Sequence, residues 1–394
     1  MHRAGKPSAP PSWLRRLTRP AKASPGTARR SKAAVPRRRR AAGDGAAPDG
    51  AKTATAETKR LNLALQGGGA HGAFTWGVLD RLLEDGRIAF ASVSGTSAGA
   101  MNAAVLAGGM MEGGAAAARA KLEDFWRAVA EAAHSYNPGR PHPLDPRPAP
   151  DSTTGLMLLD LLTRFVSPYQ FNPLDFNPLR EVLQGAIDFK RLRRESPIAL
   201  HIAATEVASG KVRIFDTREI SVEAVLASAC LPQLHQAVKI GRHHYWDGGY
   251  SANPPLLPLL RAGRAEDTLI VQIDPTKDSE LPTSAPAIIA RLNRIAFNGP
   301  LRREVEMIEH IRHVASEGFA VGGTLRRRAK AHRFHHIAAG NLSRELGRAS
   351  RLNPDMKMLT RLRDRGRAAA ENWLKRHYRA LGRESTVDLA AQFL

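Results

Sequence analysis

Three short clusters in this 394-residue chain hold residue types and spacings suited to covalent chemistry. The first is Gly67-Gly68-Gly69-Ala70-His71-Gly72. A glycine run ahead of a helix lets backbone N–H groups turn outward together, and such a nest binds an anion. The same residues satisfy the G-x-G-x-x-G dinucleotide fingerprint, which also needs an acidic residue at the end of the next strand. That strand ends in Ser94-Gly95-Thr96-Ser97, and Glu84 and Asp85 belong to the helix end before it. The dinucleotide reading therefore lacks its second half. The second cluster, Gly95-Thr96-Ser97-Ala98-Gly99, is a G-x-S-x-G sequence between a strand and a helix. Flanking glycines there permit a tight turn that lifts the serine Oγ clear of the backbone at a helix N-terminus. On its own the pattern also fits glycines that ease helix–sheet packing, with Ser97 as a helix cap. Coming just after an anion-binding loop, it gains a place for an oxyanion.

A serine nucleophile needs a base, and the third cluster, Asp247-Gly248-Gly249, offers one. Two glycines after an aspartate suit a turn that aims the carboxylate. An exposed carboxyl near pKa ~4 is a poor base at neutral pH, but desolvation raises it. His243 and His244 stand close by, so a Ser–Asp–His triad is a second option, although the α/β-hydrolase order wants the histidine after the aspartate. The later His310, His313, His332, His335, His336 and His377 lie in basic, helix-like sequence and read as solvated.

The elements that must position these clusters follow from periodicity. Leu61, Leu63 and Leu65 alternate with Asn62, Ala64 and Gln66, which predicts a short strand. Phe74, Val78, Leu79, Leu82 and Leu83 fall at helical spacing, closed by Asp85-Gly86. A second strand over 90–94 runs into a small-residue helix through Leu106. Strand, helix, strand, helix in this order implies a parallel sheet with right-handed crossovers. A Pro-rich stretch at 137–150 and apolar segments at 156–165 and 171–183 interrupt the pattern, as a lid or a covering helix pair would. Strands are expected at 198–205, 212–215, 238–240, 243–246 and 268–274, with a helix near 222–229. Beyond Pro275 the chain reads as helices with Arg-rich faces.

Charge divides the chain the same way. The formal net charge is +22, yet residues 1–60 hold 16 Lys/Arg against 3 Asp/Glu, and residues 301–394 hold 20 against 10. The middle is within one charge of neutral. Residues 1–60 have no period and few large apolar groups, so a disordered basic tail is expected, ahead of a catalytic domain over 61–275 and a mainly helical basic extension over 276–394. Clustered Lys and Arg gain about 1 kcal/mol each near an anionic membrane, so the tail is expected to contact such a surface. It has few aromatics to stack on bases, so no specific nucleic acid is expected. One cysteine, Cys230, excludes a disulfide framework and a Cys-rich zinc site, and the N-terminus shows no apolar signal region, so a cytoplasmic location is expected, peripheral at a membrane surface. There is no H-E-x-x-H or EF-hand loop, and no metal or cofactor is expected.

A glycine loop, then G-x-S-x-G, then D-G-G, in that order on an α/β core, resembles the patatin-like phospholipase family. The likeness covers about residues 61–260, with further likeness at Thr205-Glu206 and at Ala227-Ser228-Ala229-Cys230-Leu231-Pro232. It implies a three-layer α/β fold with a mostly parallel central sheet flanked by helices. It further implies a lipid acyl hydrolase with a Ser97–Asp247 dyad that uses no histidine. Gly67, Gly68, Gly69 and Gly72 would form the oxyanion loop, Gly95 and Gly99 the nucleophile elbow, and Gly248 and Gly249 the turn after the base. Many members carry Arg or Lys where this chain has His71, which leaves a neutral acyl ester as substrate and two roles open for His71, orienting the loop or facing solvent. Two other classes stay open at this level: a nucleotide-binding protein using the first loop, and a catalytically idle basic protein that binds membrane or nucleic acid.

Overall fold

The computed structural model describes residues 58–135, 166–278, 281–316, 323–346 and 349–394. The tail over residues 1–57, the Pro-rich stretch and the apolar segment 156–165 lie outside these described residues. The first strand, β1 (Lys59–Leu65), is buried on both faces. Its leucines serve one face, whereas Ala64 joins a cluster on the other. Asn62, on that second face, is accommodated because its amide donates to Ala265 O (3.0 Å) and Thr268 Oγ1 (3.4 Å). Such two-sided burial is what a central parallel strand requires. Helix α1 (Ala73–Asp85) ends at Gly86, whose φ of 73° is the left-handed conformation of a C-terminal cap. Strand β2 (Ile88–Gly95) follows, then α2 (Ala98–Ser135), which kinks at Gly113 and Gly114.

The small-residue stretch from Ile88 to Gly109 divides between β2 and α2, and no helix among the described residues is long and apolar enough to cross a membrane. A turn, α3 (Pro168–Phe171), and two short helices, α4 (Pro178–Ala186) and α5 (Phe189–Glu195), lead to β3 (Ala199–Glu206) and β4 (Val212–Asp216). Then come α6 (Val222–Ser228), β5 (Val238–Ile240), β6 (His243–Asp247), α7 (Leu257–Ala262) and β7 (Asp267–Gln272). The remainder is α8 (Ala285–Ser316), α9 (Thr324–Ala331), β8 (Arg333–Ala338), α10 (Leu342–Leu346), α11 (Met356–His377) and α12 (Leu389–Phe393).

The strands form one sheet in the order β5-β6-β3-β2-β1-β7-β8, with β4 paired to β3. The run β3-β2-β1-β7-β8 is parallel; β4, β5 and β6 join antiparallel at one side. The sheet is mixed because β6 must run backwards to bring its last residue, Asp247, level with Ala204 of β3. Helices cover both faces, α1, α2, α6 and α11 on one side and α7, α8 and α12 on the other.

The region beyond Pro275 is mainly helical, with one difference from the sequence expectation: β8 is a strand of the central sheet, paired to β7. Its histidines are interior residues, not solvated ones. His335 is fully buried between Asp267 Oδ1 (2.9 Å) and Thr386 Oγ1 (3.0 Å), His332 bonds Thr268 Oγ1 (2.7 Å), and His336 bonds Gln272 Oε1 (2.8 Å). Long-range partners replace water at each ring, which is what makes polar burial tolerable and what no local pattern discloses. Helix α11 lies on α1 so closely that glycine is required on both sides. A Cβ at Gly77 would run into Arg363 O, and one at Gly366 into Phe74 O.

Overpacked contacts of this kind cost about 1–3 kcal/mol or more. Gly366→Ala should therefore lower the melting temperature by roughly 2–6 °C. Gly299→Ala, where an added methyl meets open space within α8, should leave it unchanged or raise it. Calorimetry on the two variants checks this.

Candidate active site

The three clusters meet at the end of the sheet where β1 and β2 terminate. Leu65 pairs with Gly95, so the glycine loop and the serine turn leave the sheet side by side. Ser97 has a φ of 55°, a conformation that L-residues seldom adopt. The surroundings enforce it. A Cβ at Gly99 would overlap Leu65 O, and one at Gly95 would sit 2.6 Å from Gly99 O, so both positions must be glycine for the turn to close. The Ser97 N–H donates to Ser228 Oγ (2.9 Å), Thr96 Oγ1 donates to Ala252 O (2.7 Å), and Ser97 O accepts from Met101 N (3.1 Å) as the first bond of α2. The side chain is thus placed at the positive end of the first segment of α2, ahead of its kink at Gly113 and Gly114, and is 9% exposed.

The glycine loop is held against this turn. Gly67 N donates to Asn253 Oδ1 (2.7 Å), and a Cβ at Gly67 would lie 2.8 Å from Ser97 Cβ. The first of the three N–H groups expected to face an anion is therefore committed within the protein. Gly68 and Gly69 N–H have no acceptor among the described residues. Gly69, at φ 59°, makes the reversal that turns them, and Gly72 serves packing, since a Cβ there would sit 2.6 Å from Ala98 Cβ and 3.2 Å from the Trp126 ring. Asn102 secures this end by donating to Gly72 O (3.0 Å) while it accepts from Trp126 Nε1 (3.0 Å). His71 does not face solvent. It is 1% exposed, its Nε2 lies 2.7 Å from Ser350 Oγ, and burial with Arg351 nearby lowers its pKa to about 4, so the ring is neutral.

Asp247 approaches from β6. Its N–H donates to Cys230 O (2.8 Å) and its carbonyl accepts from Thr205 Oγ1 (2.8 Å). Its Oδ1 accepts from Gly249 N (2.7 Å), while Oδ2 is buried without a hydrogen-bond partner. Burial raises the carboxyl from its ordinary 3.8 to about 7, against the opposing pull of the Gly249 N–H and the Ser97 hydroxyl. Gly248 and Gly249 are required by contact: a Cβ on the first would overlap Ala203 O, and one on the second the Phe297 ring. Phe297 of α8, its ring tilted against that of Tyr250 with centroids 4.9 Å apart, packs directly on this turn.

The structure brings Ser97, Asp247 and the glycine loop to one end of the sheet and leaves the triad candidates His243 and His244 out. His243 bonds Glu206 on the exposed side of β6, and no histidine among the described residues bonds to Ser97 or Asp247. Sequence reading did not single out Asn253 or assign roles to Ser228, Thr205 and Asn102. A polar residue just before proline after D-G-G, and a serine within a buried small-residue turn, were the only local signals.

The family model described as Patatin-like phospholipase matches residues 63–260, half of the chain. No curated protein sequence matches it. Among solved structures, VipD from Legionella pneumophila is similar at 16% identity and a TM-score of 0.33, over 78% of this chain and 67% of that one. The full-length SpcU–ExoU complex of the Pseudomonas aeruginosa type III secretion system matches at 16% identity and a TM-score of 0.29, over 81% of this chain and 54% of that one. A second ExoU–SpcU structure gives 20%, 0.28, 86% and 75%. The chain thus spans about half of full-length ExoU. With the family model covering the segment that carries all three clusters, the chain belongs to the patatin-like phospholipase family.

Proposed function

We propose that this protein hydrolyses carboxylic acyl esters of lipids through a Ser97–Asp247 dyad. Family membership supports lipid acyl hydrolysis in general. The observation that carries the finer reading is a serine held at positive φ on a helix N-terminus, beside a buried carboxyl whose pKa stands near 7. The ionised Asp247 takes the Ser97 hydroxyl proton as Oγ attacks the ester carbonyl. The resulting oxyanion is held by the N–H groups of Gly68 and Gly69, with Gly67 bracing the loop through Asn253. Collapse breaks the bond to the alcohol oxygen, which takes the proton from Asp247 and leaves. Water then gives a proton to Asp247 and its oxygen to the acyl carbon. A second collapse releases the fatty acid and returns the proton to Ser97. A lipid offers no soluble handle, so the substrate is met at a membrane or lipid-particle surface, and no cofactor enters these steps.

A carboxyl poised near 7 suits this double duty, since it both accepts and returns a proton at neutral pH. Ser97→Ala and Asp247→Asn should each lower hydrolysis of a short-chain ester by ~1000-fold or more, with no further loss in the double variant, because the pair works as a unit. Wild-type kcat/KM should rise tenfold per pH unit up to about 7 and then level off. Near-full activity in Asp247→Asn, with loss on changing His243, would favour the triad. Stability gives an independent check of sign. A carboxyl raised in the fold contributes stability below the ordinary range near 4, and this is lost as pH rises through about 7. Asp247→Asn escapes that loss and should be more stable than wild type by about 2–4 kcal/mol at pH 8, the difference vanishing near pH 4.

A further inference from the structure

The glycine loop is enclosed by a ring of polar contacts that closes through a turn of the C-terminal region, Ala349–Arg351. It starts one residue before the loop. Gln66 Oε1 accepts from Ile273 N (2.7 Å) and Asp274 N (2.8 Å), fixing the chain just past β7. The Asp274 carboxylate, 2% exposed, pairs with the Arg351 guanidinium. The neighbouring Ser350 hydroxyl meets His71 Nε2, which returns the ring to the loop. Between these ends the Arg351 backbone rests on the loop itself: a Cβ at Gly69 would lie 2.6 Å from Arg351 O.

This arrangement rests on the proposed oxyanion role of Gly68 and Gly69. We infer that Ser350 and Arg351 form a positioning clamp that sets the Gly68–Gly69 N–H groups in the geometry the oxyanion needs. The reasoning is one of constraint. Gly67 N–H is fastened by Asn253, but the N–H groups of Gly68 and Gly69 have no acceptor among the described residues, and glycines are the least restricted residues in the chain. Without an outside support their N–H directions would fluctuate, and an oxyanion hole loses its value when its dipoles must reorganise. The support comes from three sides: the Arg351 carbonyl over Gly69, the Asp274–Arg351 ion pair that anchors the turn, and the Ser350–His71 bond. His71 fits this as a neutral tether. A cation there would compete with Arg351 for the same space and charge environment, and Arg351 is among the groups that keep the ring neutral.

The test uses the full chain, a soluble short-chain ester and a fluorophosphonate, comparing wild type with Arg351→Ala, Arg351→Lys and Ser350→Ala. Arg351→Ala should lower kcat by about 10- to 100-fold with KM within about twofold, and slow phosphonylation of Ser97 in proportion. Arg351→Lys should recover part of the loss, because it restores the charge opposite Asp274. Ser350→Ala should cost about 3- to 10-fold. The His71 ring, followed by NMR, should titrate at higher pH in Arg351→Ala, since the cation is gone and Asp274 remains. A merely structural role would lower the melting temperature without this split. Wild-type kcat and labelling rate in Arg351→Ala would overturn the clamp while leaving the dyad intact. Should Arg351→Ala fail to fold, full activity in both Ser350→Ala and Arg351→Lys would overturn it equally. A wild-type chain that labels at a serine other than Ser97 would overturn the dyad, and the clamp with it.

Discussion

A carboxyl kept from water is the constraint on which the other features of this structure depend. Asp247 is 1% exposed and, among the described residues, has no basic partner of the kind that usually accompanies a buried carboxylate. To bury it, β6 must run antiparallel against β3, the two positions after the aspartate must carry no side chain, and Phe297 must close over Gly249. The gain is chemical. In the proposed mechanism, an aspartate with ordinary acidity would leave the serine proton in place at neutral pH, whereas one raised to about 7 can take it. Stability is given up at this position, as is common where local strain or burial serves a site. The strained Ser97 backbone is a second instance, held by glycines that allow Leu65 O and Gly99 to approach.

The other half of the site is the C-terminal region. Residues 63–260 hold the three motifs, yet the side chains that enclose them come from further on. Phe297 and Asn298 of α8 reach Gly249 and Gln66, Ser350 and Arg351 reach His71, Asp274 and Gly69, and α11 lies directly on α1. Strand β8 completes the sheet beside β7. The site is therefore built by the family segment and closed by sequence that lies outside it.

Much of the site was legible because its glycines are positional. Gly95, Gly99, Gly248 and Gly249 each stand where a Cβ would overlap another atom, and such demands write themselves into short motifs. The first strand and helix were legible because Leu61, Leu63, Leu65 and the residues of α1 keep their periods on a buried face. What escaped has one physical cause, partnership across long sequence separations. The Arg-Phe-His-His-Ile-Ala sequence of β8 reads as basic and solvated until Asp267, Thr268, Gln272 and Thr386 appear as partners of its histidines and their neighbour His332. Asn253, Ser228 and Arg351 carry no local pattern; each matters only because folding places it against Gly67, Ser97 or Gly69. His71 was open between two roles for the same reason, since Ser350 lies 279 positions away.

The central claim is that Ser97 is the nucleophile, and a covalent adduct at that residue tests it most directly. The full chain, treated with a fluorophosphonate at pH 8, digested and sequenced by mass spectrometry, should carry one phosphonyl group, on the peptide containing Gly95-Thr96-Ser97-Ala98-Gly99 and on Ser97 itself, with ester hydrolysis lost in proportion to labelling. A phosphonyl group on another serine, or active enzyme that takes no label while it continues to hydrolyse esters, would contradict the account.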